Sequence, residues 1–144
     1  MIRMLLLTNE KNNAVRLRTV FEKMELEFEI AIGEETARTI LSERFMNLVV
    51  MDASVLKGGT CWVFSFLHTR RLRIPVLILG ADHTALKEPP PDPELVRFLP
   101  PPLDPGRIRQ AVEEIARLCV RESGWKPPQN EFPITSVLDG FDDF

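Results

Sequence analysis

Leu48-Val49-Val50-Met51-Asp52 is the stretch that decides the fold. Four apolar residues closed by one carboxylate read as a strand buried on both faces that delivers an acid to the carboxyl edge of a sheet. Open α/β sheets keep their sites at that edge, so the partners of Asp52 determine what the chain does.

Outward from this strand, short apolar runs at residues 4–7, 28–32, 76–79 and 96–99 alternate with helical patterns. That order predicts a parallel sheet with helices on both faces. Asn12 or Asn13 is placed to cap a first helix whose apolar positions are Ala14, Leu17, Phe21 and Met24. The acidic turn Glu34-Glu35 opens a second, expected to bury Ala37, Ile40, Leu41 and Phe45. The final helix is the best marked: Asp104 as cap, Pro105 at its first position, and a stripe of Ile108, Ala111, Val112, Ile115 and Leu118. Five strands with intervening helices predict a flavodoxin-like, doubly wound sheet of order 2-1-3-4-5.

Two segments break the regularity. Residues 61–67 are apolar on more than one side, so either Trp62 or Phe66 packs under a loop or one of them forms an adhesive surface. After the fourth strand the chain reads Lys87-Glu88-Pro89-Pro90-Pro91-Asp92-Pro93, which forbids a full-length helix. The fourth helix is therefore expected to be shortened or replaced by a Pro-rich extended crossover.

Composition narrows the functional classes. One domain is expected from 144 residues, and a net charge of −3 argues against a nucleic-acid or membrane-surface binder. The short cluster Arg70-Arg71-Leu72-Arg73 reads as a helix C-terminus. No export signal or membrane span is read, and a cytoplasmic location is expected. Cys61 and Cys119 fit packing better than a disulfide or zinc site. The chain has no Gly-rich phosphate loop after a strand. A hydrolase would rely on Ser54 beside Asp52, with His83 a better base than His68, and remains the third reading, together with a ligand-binding flavodoxin-like protein.

The order of elements over residues 1 to about 120, with Asp52 ending the third strand and a proline ending the fifth, resembles the receiver domain of bacterial response regulators. That resemblance implies phosphoryl transfer to Asp52, aided by Mg²⁺ on two acidic residues after strand one, a hydroxyl ending strand four and a lysine ending strand five. Here the acidic pair falls on Thr8 and Asn9, the hydroxyl on Gly80 and the lysine on Pro100, while Arg97 takes the place of the readout aromatic. Glu10 lies one residue beyond the pair. Losing one preorganised donor typically costs about 10²- to 10³-fold in rate, so losing both should leave little chemistry.

The expectation is accordingly a pseudo-receiver: a non-catalytic, phosphorylation-independent signalling module that binds a protein partner or forms a homodimer. It would need no cofactor and make no direct contact with nucleic acid or membrane. The alternative is an atypical phospho-acceptor using Asp52 with Mg²⁺ held by Glu10 and Asp52. Residues 76–81, the Pro-rich crossover, the prolines after strand five and Lys57-Gly58-Gly59 are weakly similar to the receiver-like N-terminal domain of sigma-54-dependent flagellar master regulators.

This reading divides the chain into a receiver-like domain, residues 1–122, and an acidic aromatic tail, residues 123–144. From residue 125 on, Lys126 stands against Glu131, Asp139, Asp142 and Asp143, a charge of +1 − 4 = −3, which is the whole net charge of the chain. Phe132, Val137, Leu138, Phe141 and Phe144, with Trp62 and Phe66, are the candidate partner-binding residues. The tail either lies on its own domain, docks on a partner or second copy, or stays disordered.

Overall fold

The computed structural model describes residues 1–121, so the predicted tail, with Phe132, Val137, Leu138, Phe141 and Phe144, lies outside the described residues. Five strands, β1 (Arg3–Thr8), β2 (Glu27–Ile32), β3 (Leu48–Asp52), β4 (Val76–Leu79) and β5 (Val96–Leu99), form one parallel sheet in the order β2-β1-β3-β4-β5. The helices are α1 (Lys11–Phe21), α2 (Glu34–Glu43), α3 (Trp62–Thr69) and α4 (Pro105–Arg121). This is the predicted doubly wound topology.

Strand periodicity sorts the core into two layers. Leu5, Leu7, Val49, Met51, Val76 and Ile78 face α2 and α3, meeting Ala37, Leu41, Val63, Phe66 and Leu67. Met4, Leu6, Leu48, Val50, Leu77 and Leu79 face α1 and α4, meeting Leu17, Phe21, Ile108, Val112, Ile115 and Cys119. The central strands are thus covered on both sides, which is why they read as continuous apolar runs rather than alternating ones.

Asp104 caps α4 as its sequence predicts, accepting from Arg107 N at 2.9 Å. The Asn cap of α1 does not form: the helix starts one residue after Glu10, and Asn13 lies inside its first turn. Phe45 falls beyond the end of α2 and is 46% exposed rather than buried. No α-helix crosses from β4 to β5. Two 3₁₀ turns, His83–Ala85 and Pro93–Leu95, carry the chain instead, and Pro90 and Pro91 line a small cleft with Phe64, Leu67 and Val96.

The crossover is pinned at its start, where Lys87 N donates to Gly59 O at 3.0 Å. Gly59 has φ +84°, and a Cβ there would meet Lys87 Cγ at 2.6 Å. Gly59 therefore has a packing cause as well as a conformational one, whereas Gly58, at φ +59°, has the left-handed turn alone.

Candidate functional site

The site is built from the ends of β1 and β3. Buried strand interiors force their last side chains to the edge, and Asp52 closes β3 at 6% exposure beside fully buried Thr8, the last residue of β1. A carboxylate removed from water needs donors for its lone pairs. Asp52 has four. Oδ2 accepts from Thr8 Oγ1 at 2.5 Å and from Asn13 Nδ2 at 2.8 Å. Oδ1 accepts from Ser54 N at 3.1 Å and from the Ser54 hydroxyl.

Thr8 and Asn9, where the resemblance expects metal-binding acids, tie the neighbouring loops together. Thr8 Oγ1 accepts from Glu10 N at 3.0 Å while its proton goes to Asp52. Asn9 N donates to Ser54 Oγ at 3.0 Å, and Asn9 Nδ2 to Ser54 O at 3.0 Å. The loops after β1 and β3 are therefore joined directly, through neutral groups around one carboxylate.

Glu10 is exposed, and what it gives this edge is backbone: its N–H to Thr8 Oγ1 and its carbonyl to Ala14 N at 3.1 Å. Among the described residues no three His, Cys, Asp or Glu side chains gather as a metal-binding cluster. A hard cation wants oxygen acceptors, usually including carboxylates, in near-octahedral array. Hydroxyls and amides pointing their hydrogens at Asp52 are the opposite arrangement, and this donor set does not fit Mg²⁺.

At the end of β4, Gly80 holds φ +88°, and its N–H donates to Leu99 O at 2.8 Å. A serine or threonine would be strained at this φ, so the local backbone suits glycine. Past β5, Arg107 Nη1 donates to Pro100 O at 3.0 Å and also to Pro102 O. Arg97 is exposed, with Nη1 bonded to Glu94 O at 2.8 Å.

Among the described residues no hydrogen bond joins Ser54 to His68 or His83. Ser54 Oγ is committed to Asp52 and Asn9, and His68 Nδ1 is drawn to Asp92 Oδ2 at 3.4 Å. His83 opens its own 3₁₀ turn beside Asp82, whose carboxyl the Thr84 hydroxyl and amide hold below its ordinary value.

Among the partner-binding candidates, Phe66 is buried at 4% exposure, which makes it a core residue rather than a docking one. Trp62 is half-buried. It packs edge-on against Phe66 with centroids 5.6 Å apart, and the Arg38 guanidinium lies over its ring at 4.8 Å. Asn13 is the site residue that sequence reading missed. Its place one residue before Ala14, in the first turn of a helix leaving the sheet edge, was the available signal.

No protein-family model matches the chain, and no curated protein does. Solved structures do. It is similar to the signal receiver domain of an HD domain-containing protein from Pseudomonas fluorescens Pf-5, at TM-score 0.68 and 17% identity, covering 82% of this chain and 88% of that one. It is similar to full-length FixJ from B. japonicum at TM-score 0.68 and 16% identity, covering 83% of this chain and 59% of that one. Response regulator TrrA from Thermotoga maritima, in complex with Mg²⁺-BeF, matches at TM-score 0.60 and 15% identity, covering 80% of this chain and 99% of that one. The structural neighbours are response-regulator receiver domains, and this chain has their fold.

Proposed function

We propose that the chain is a pseudo-receiver: a signalling module that works by binding protein, without catalysis and without phosphorylation of Asp52. The observation that carries this reading is the saturation of the Asp52 carboxylate by Thr8, Asn13 and Ser54. A phosphoacceptor needs one carboxylate oxygen free to attack and counter-charge near the other. Here both oxygens are occupied by internal donors, with neutral side chains at the metal positions and proline at the lysine position.

On this reading Asp52 is a structural cap joining two loops, and function moves to the surfaces. The crossover that replaces a helix presents a polyproline-like face not formed by a regular helix, and Trp62 offers an aromatic edge beside α2. A protein partner or a second copy of the chain is the proposed ligand, in the cytoplasm. Among the described residues no helix is long and apolar enough to cross a membrane.

The test uses the phosphoryl mimic beryllofluoride with Mg²⁺, followed by backbone amide shifts of the isotope-labelled protein. The expected result is an unchanged spectrum around Asp52, Gly80 and β5. Saturable shifts along those elements would establish the atypical phospho-receiver instead.

A further inference from the structure

Beside the tied-off carboxylate lies a cleft of about 310 Å³ between α1 and α4, at the carboxyl edge of β3 and β4. Its walls are apolar: Leu17 and Val20 from α1, Leu79 from β4, and Leu103 and Ile108 from the start of α4 and the loop before it. Leu103, 40% exposed, follows the proline turn that Arg107 fixes through the carbonyls of Pro100 and Pro102. Its volume is at the low end of the range of small-molecule clefts, about 300–1,000 Å³. Pockets of this kind, apolar with a few convergent polar groups, are where small ligands bind.

The charge on the lining selects among ligands. The cleft holds one cation, Arg16, and one anion, Asp52, with Asn13 between them. Asn13 Oδ1 accepts from Arg16 Nη2 at 3.1 Å while its Nδ2 donates to Asp52 at 2.8 Å. The two charges are therefore linked through one amide and sum to zero. A charged ligand would bring an uncompensated charge against apolar walls, at a desolvation cost that a neutral one avoids. Arg16 keeps N–H donors beyond the one given to Asn13, so a single acceptor on the ligand can be met.

We propose that the α1–α4 cleft binds a small neutral amphiphile, an apolar body carrying one hydroxyl or carbonyl group that accepts from Arg16. This inference rests on Asp52 being an internally satisfied cap.

The experiment titrates the full isotope-labelled chain with 1-hexanol, hexanoate and hexylammonium, following backbone amide shifts. Hexanol should give saturable shifts confined to the cleft, at Leu17, Leu79, Leu103 and Ile108, and should bind about tenfold or more tightly than either charged analogue. Val20→Phe, which fills the cleft while leaving the rest of the spectrum in place, should weaken hexanol by a similar factor of about tenfold. Scattered or non-saturating shifts overturn the proposal. So does the absence of any response, or cleft residues giving contacts to residues 125–144 in place of the alcohol. Hexylammonium binding tightest and lost in Asp52→Asn would overturn both this inference and the view of Asp52 as a saturated cap. Failure of all three probes overturns the cleft alone.

Discussion

Thr8 and Asn13 hold the acid that ends β3 in a fixed environment at this sheet edge. Each is a donor to a carboxylate that is 6% exposed. Thr8→Val keeps the side chain's size but removes the hydroxyl, leaving Asp52 one donor short and Glu10 N without its acceptor. The expected loss is about 1–3 kcal/mol of stability, measured by urea denaturation. A loss near zero would mean that water replaces the hydroxyl freely. The cysteines give a second prediction at this scale. Burial pushes the Cys61 thiol up to about 11 and the Cys119 thiol up to about 12. Because the thiolate is the reactive form, both should react with a thiol reagent at pH 8 far more slowly than an unfolded control. Rapid labelling of either would show that its packing is open. The sequence places Thr8, Asn9, Gly80 and Pro100 where the receiver resemblance expects acids, a hydroxyl and a lysine. It does not show what they do instead, because the partner of Asn13 lies 39 residues away and no local pattern links the two.

At the scale of elements, strands and helices were legible wherever periodicity and caps agreed. Strand bounds came out within one residue, since β1, β3 and β4 are buried on both faces and interrupted by clear polar segments. The loss of the fourth helix was legible because proline forbids it by covalent geometry. The start of α1 differs from expectation: Asn13, one of the two asparagines expected to cap it, reaches across the edge to Asp52. Phe45 was misjudged because α2 stops at Glu43, two residues before the next position of the stripe. The turn under the crossover yields a paired test. Gly58 and Gly59 both have positive φ, but a Cβ on Gly58 meets nothing within 4 Å, whereas one on Gly59 strikes Lys87. Gly58→Ala should cost about 1–2 kcal/mol from backbone strain alone, and Gly59→Ala more than that, with displacement of the crossover. Equal costs in thermal or urea unfolding would mean that the crossover is not seated on the turn.

For the whole molecule, the core residues among those described fill both layers, the last of them Cys119. A chain ending after Gly124 should therefore keep native-like circular dichroism and unfold in one cooperative transition. Loss of cooperativity would show that residues 125–144 complete the core. The proposed function turns on whether Asp52 accepts a phosphoryl group. Its most direct test is intact-mass spectrometry of the protein after incubation with Mg²⁺ and acetyl phosphate, beside an Asp52→Asn variant. No phosphoryl adduct on either protein is the predicted result; an adduct on the native chain that Asp52→Asn abolishes would contradict it.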